Sequence, residues 1–178
     1  MIGQDRSEDL GEDLRRAASR VLERCRVQGL MVATAESCTG GLVAGALTEI
    51  AGSSDVVDRG FVTYSNAAKQ EMLGVPAAIL DRHGAVSRET AEAMATGALA
   101  HAPVDLAVAV TGIAGPGGGS VAKPVGLVHF AAAARDGRLI HREKRFGDVG
   151  RGEVRLRSVA EALAMLEELA GGEAGPPR

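Results

Sequence analysis

Tryptophan is absent from the 178 residues, tyrosine occurs once and phenylalanine three times. An aromatic platform for stacking single-stranded nucleic acid is therefore excluded. The formal net charge of −3 provides no basic face for displacing counterions from phosphates, so duplex nucleic acid is not an expected partner either. Cysteine is confined to Cys25 and Cys38, with no CxxC pairing, which is the usage of a reducing compartment. No apolar run reaches the length of a membrane span, and the opening MIGQDRSEDLGEDLRRA is too acidic and polar for a secretory signal. A cytoplasmic protein without membrane contact is the expectation. HExxH, Cys/His clusters and spaced carboxylates are all missing, so neither a metal nor another cofactor is expected. Lysine is also scarce, at Lys69, Lys123 and Lys144 only, although Lys and Arg together number 20.

What remains is small and aliphatic. Hydrophobic residues make up 46% of the chain and glycine contributes 24 residues. A core of Ala, Val, Leu and Gly brings backbones close together, as where helices lie on a sheet. Leu10, Leu14, Ala17, Ala18, Val21, Leu22 and Cys25 recur at helical spacing over residues 9–28, and Gly29 stops the pattern. Further helices are expected near residues 42–50, 66–73, 87–101 and 152–169, the third opened by Ser87 with Glu89 in its first turn. Strands are expected at 30–35, 56–64, 105–110, 125–134 and 139–146, the last two joined by the turn Arg135-Asp136-Gly137. The alternation predicts a three-layer α/β/α sandwich with a mixed, mostly parallel sheet and a C-terminal β-hairpin. A single domain over residues 10–170 is expected, with flexible tails at 1–9 and 171–178.

Two glycine-rich turns leave the ends of apolar strands. The first is Glu36-Ser37-Cys38-Thr39-Gly40-Gly41; the second is Thr111-Gly112-Ile113-Ala114-Gly115-Pro116-Gly117-Gly118-Gly119. In an open α/β sheet, ligands gather outside the carboxyl ends of strands, so both turns could face one crevice. Neither matches GxxxxGK[ST] or GxGxxG, and each could equally be a plain tight turn. Ser37 or Thr39 could simply cap the following helix. Alternatively, Ser37 is a nucleophile that needs a base. His83, His101, His129 and His141 stand in no motif. Lys69, five residues after Tyr64, can serve if desolvated, whereas arginine stays protonated. A solvated helix lysine is the competing reading. Cys38 is a rival nucleophile or a buried structural thiol.

The stretch Thr34-Ala35-Glu36-Ser37-Cys38-Thr39-Gly40-Gly41 resembles the opening signature of the CinA C-terminal-domain family. Tyr64-Ser65-Asn66-Ala67-Ala68-Lys69, Gly84-Ala85-Val86-Ser87, Thr111-Gly112-Ile113-Ala114-Gly115-Pro116-Gly117-Gly118, Lys123-Pro124-Val125-Gly126 and Arg151-Gly152-Glu153-Val154-Arg155 are similar to its later blocks, in order. Longer members carry an N-terminal nucleotide-pyrophosphatase-like half, and this sequence reads as the stand-alone form. The resemblance implies deamidation of nicotinamide mononucleotide to nicotinate mononucleotide and ammonia, without metal. Ser37 would attack the carboxamide, Lys69 helped by Tyr64 would take its proton, and Thr111 would hold the lysine or the substrate. Amides of the Gly40–Gly41 or Gly112–Gly115 turns would stabilise the oxyanion, alongside Thr39 as a substrate contact. Arg151 and Arg155 would meet the phosphate. The chain departs from the pattern at Phe146-Gly147-Asp148-Val149-Gly150-Arg151, where two residues separate Gly-Asp from the arginine. A nucleotide-binding domain without turnover, or an interaction module linked to DNA uptake or damage, are the alternatives; the latter has no need of Ser37, Tyr64, Lys69 and Thr111 together. The small-aliphatic helices also suit self-association, so a homo-oligomer is expected.

Overall fold

In a computed structural model of the chain, residues 5–172 are described; the outer parts of both expected tails, 1–4 and 173–178, lie outside them. Five strands, β1 (Val32–Glu36), β2 (Val57–Val62), β3 (Leu106–Gly112), β4 (Leu127–Ala134) and β5 (Leu139–Arg145), form one sheet in the order β2-β1-β3-β4-β5. β1 pairs in parallel with both β2 and β3, whereas the β3–β4 and β4–β5 pairs are antiparallel. The sheet is mixed, as its sequence pattern implies. Six α-helices cover it: α1 (Asp5–Gln28), α2 (Leu42–Thr48), α3 (Asn66–Leu73), α4 (Ala77–His83), α5 (Arg88–His101) and α6 (Arg151–Gly171). α1 starts before the expected residue 9, and α4 falls where no helix is legible.

Strand periodicity sorts the core into two unequal layers. Leu106, Val108 and Val110 of β3, with Val128 and Phe130 of β4, point to one face and pack under α1, α2 and α6. The other face is paved with Ala35, Ala107, Ala109, Ala131 and Ala133, and α5 lies on it through Ala91, Met94, Ala95 and Ala98. Alanine on both surfaces brings α5 close to the strands. α3 and α4 then pack against α5 instead of the sheet centre.

α3 and α5 approach closely at one point. A Cβ at Gly97 would stand 2.1 Å from the Leu73 carbonyl oxygen, so only glycine fits there. Gly97→Ala should cost about 1–3 kcal/mol of stability by overpacking. Urea unfolding checks this: the midpoint should fall at unchanged slope, and an unchanged midpoint would show that the contact relaxes freely.

Candidate active site

All three parallel strands deliver their carboxyl ends to one crevice. Ser37 follows β1, Thr63 and Tyr64 follow β2, and Thr111 and Gly112 close β3. A cavity of about 270 Å³ opens there, lined by Ser37, Cys38, Tyr64, Lys69, Thr111 and Arg151, by Ala85 and Val86, and by the second glycine-rich turn. That volume is at the small end of ligand pockets.

The turn that carries Ser37 is built on a buried carboxylate. Glu36 is fully buried at the end of β1. Its Oε2 accepts from the amides of Gly41 and Val43, at 2.9 and 3.1 Å, and its Oε1 accepts from the Ala44 amide at 2.8 Å and the Thr34 hydroxyl at 3.2 Å. These are the orphan donors of α2, whose N-cap, Gly41, has no side chain to offer them. Neither Ser37 nor Thr39 caps the helix, so the Ser37 hydroxyl is free of that duty. The Ser37 amide donates to Val110 O at 2.9 Å, which ties the turn to β3.

Lys69 reaches this serine from α3. Ser65 caps that helix by accepting from the Ala68 amide at 3.0 Å, and Gly74 ends it in the left-handed region. The Lys69 side chain is 1% exposed, with Nζ 3.0 Å from Ser37 Oγ and 2.8 Å from Thr63 O. Burial pushes its pKa below the ordinary lysine value, because the charged form loses its hydration. The Cys38 thiol is driven the other way by burial, up to about 11, so it stays protonated at neutral pH and is a poor nucleophile. No histidine among the described residues bonds Ser37: His129 and His141 pair with each other at 3.1 Å on β4 and β5, and His83 ends α4.

Several expected contacts fall differently. Tyr64 is exposed and its hydroxyl accepts from Arg151 Nη2 at 3.0 Å, so it does not assist Lys69 directly. Arg151 also donates Nη1 to Gly115 O at 2.8 Å. The two additional residues before it therefore still leave Arg151 on the cavity, at the first position of α6. Thr111 is buried on the cavity wall but donates to Ala85 O at 2.7 Å; the lysine is held by Thr63 O instead. Thr39, Gly40, Gly41 and Arg155 are not part of the lining. The Gly40 amide donates to Ser37 O and the Gly41 amide to Glu36, so neither is free for an oxyanion. In the second turn, the Ile113 amide is spent on Leu127 O, while those of Ala114 and Gly115 donate to no group among the described residues. Gly115 is obligatory there: its φ is +84° and a Cβ would stand 2.6 Å from Val125 Cγ1.

A three-layer α/β/α protein carrying a buried Ser–Lys pair at the carboxyl edge of its sheet is the class these features define. The chain belongs to the CinA C-terminal domain family, whose model matches residues 14–170. It is 53% identical over 157 residues to a CinA-like protein of Synechococcus sp. (strain RCC307), covering 88% of this chain but 37% of that protein. It is likewise 53% identical to the nicotinamide-nucleotide amidohydrolase PncC of Enterobacter agglomerans, covering 78% of this chain and 84% of that one. The chain thus spans well under half of the longer relative and most of the amidohydrolase. Among solved structures, it superposes on the competence/damage inducible protein CihA from Agrobacterium tumefaciens with a TM-score of 0.87 at 62% identity, covering 88% and 95% of the two chains.

Glu36 escaped sequence reasoning, although a carboxylate a few residues before a helix that two glycines precede is a readable sign of capping from outside the helix. Glu36→Gln turns one acceptor into a donor facing amides. It should cost about 1.5–3 kcal/mol, lowering the thermal midpoint by roughly 3–12 °C. A midpoint equal to wild type would show that the carboxylate does not hold the turn.

Proposed function

We propose that this chain is a Ser–Lys amidohydrolase that deamidates nicotinamide mononucleotide to nicotinate mononucleotide and ammonia. One observation carries the reading: a buried Lys69 amine 3.0 Å from the Ser37 hydroxyl, with no carboxylate among the described residues bonded to it. The relative named as a nicotinamide-nucleotide amidohydrolase supports the choice of amide.

Unprotonated Lys69 accepts the Ser37 proton while still donating to Thr63 O. Ser37 Oγ attacks the carboxamide carbon, and the C=O electrons move onto oxygen. The amides of Ala114 and Gly115, which line the cavity without another acceptor, supply donors to that oxyanion; such a donor contributes about 3–4 kcal/mol in serine hydrolases. Collapse breaks the C–N bond as the lysine returns its proton to nitrogen, releasing ammonia and leaving an acyl ester on Ser37. Water, deprotonated by Lys69, attacks the ester, and the acid product leaves as Ser37 regains its proton. Thr111 fixes the wall through Ala85 O. Arg151, exposed at the mouth, exchanges Tyr64 for the substrate phosphate.

Ammonia release from nicotinamide mononucleotide, assayed in chelator with wild type, Ser37→Ala and Lys69→Ala, is the test. The reading expects wild-type turnover and a loss of at least about 10³-fold in each variant. Wild type that binds the nucleotide without turnover would instead support a binding domain. The pH profile adds a second check. The active form is the neutral amine, so kcat/KM should rise with pH through a midpoint below the ordinary lysine value. A midpoint at or above the ordinary lysine value, or a profile with no rise from acid to alkaline pH, would contradict Lys69 as the base.

A further inference from the structure

Arg155 stands one helical turn after Arg151 on α6, yet it faces a different target. Its Nε donates to Cys38 O and its Nη2 to Thr39 O, both at 3.1 Å. The guanidinium lies against the turn itself: a Cβ at Gly40 would be 3.4 Å from Nη2. Opposite charges thus grip one short segment by its two kinds of backbone group. Glu36 takes amides at the start of α2, and Arg155 takes the carbonyls that immediately follow Ser37. Nothing else among the described side chains bonds those two carbonyls.

We propose that Arg155 is a positioning residue that sets where Ser37 Oγ stands relative to Lys69, and that it does not bind substrate. The proposal rests on the Ser37–Lys69 reading above. The reason lies in the geometry of the turn. The Ser37 amide is anchored to Val110 O and the helix beyond Gly41 is anchored to Glu36; between them, Cys38 O has Arg155 as its one partner among the described residues, and Thr39 O shares Arg155 with the Leu42 amide at 3.2 Å. Two donors in one rigid plane can fix two successive carbonyls at once; a lysine ammonium on a flexible stem cannot reproduce that fork. Without the clamp, the peptide plane after Cys38 loses its partner and the one after Thr39 keeps only the Leu42 amide, so the segment can shift and carry Ser37 with it. Displacements near 1 Å in an attacking group are enough to slow a reaction strongly.

The test uses the purified chain with Arg155→Lys and Arg155→Ala, and with Arg151→Ala for comparison. Two readouts are taken. One is the rate at which a neutral fluorophosphonate labels Ser37, which needs neither an amide nor a phosphate. The other is turnover of the amide nucleotide and of its dephosphorylated nucleoside. Labelling and kcat should fall by about tenfold to a hundredfold in both Arg155 variants, with KM within about twofold of wild type. The nucleotide-to-nucleoside ratio of kcat/KM should stay at its wild-type value in these variants and fall in Arg151→Ala. Wild-type labelling rates in folded Arg155→Lys, or a loss confined to the phosphorylated substrate, would overturn the proposal. So would a wild type that the probe does not label. If wild type is labelled but releases no ammonia from either amide, the substrate reading fails, and the labelling rates alone still decide the role of Arg155.

Discussion

Lys69 Nζ is held out of water by a hydroxyl and a backbone carbonyl, and among the described residues it bonds no carboxylate. Burying a cation this way is costly, and the amine responds by releasing its proton more readily. The rest of the site is arranged around that condition. Thr63 O can accept from the amine in either protonation state, which leaves one direction for a lone pair, toward Ser37. A partner carboxylate would have restored the charge and disabled the base. Among the described residues, the packing between α3 and the ends of β1 and β2 brings none to the amine.

The small-residue composition makes that packing possible. Alanines on the α5 face of the sheet and Gly97 on α5 draw the helical layer inward, so α3 sits close enough for a lysine side chain to reach the β1 terminus under cover. The opposite face uses larger side chains, Phe130 among them, and carries α6, from which both arginines descend. One layer therefore supplies Lys69, the other supplies both arginines, and Ser37 lies where the strand between them ends. The crevice outside the carboxyl ends of the parallel strands is where this architecture gathers ligands.

Much of this was readable in the chain. The three buried strands β1, β3 and β4, the Ser87 cap and the two glycine-rich turns stand within a residue or two of expectation, because apolar runs bounded by glycine have few other uses. The residues of the Ser37, Lys69, Thr111 and Arg151 blocks do meet at one cavity. What escaped depends on partners distant in sequence. Glu36 looked like part of a motif and acts as the cap of α2. Thr63 contributes only a carbonyl, which no side-chain pattern can announce. Tyr64 stands near Lys69 in sequence but bonds Arg151, 87 residues away. α4 has Pro76 at its N-cap and so no capping side chain to mark it in the sequence. β2 is an edge strand with mostly exposed positions, which explains Asp58 and Arg59 inside it.

The scarcity of lysine makes the central claim directly measurable. With only Lys69, Lys123 and Lys144 in the chain, labelling lysine with ¹³C at Cε gives three resonances, and Lys69→Arg assigns the one of interest. An NMR titration should show that resonance changing at a pH below the other two, with its midpoint depressed in wild type and raised when Ser37 is replaced by a bulky polar residue that admits water. Three lysines titrating together at the ordinary value would mean that Lys69 keeps its proton, and the Ser–Lys account of this site would be wrong.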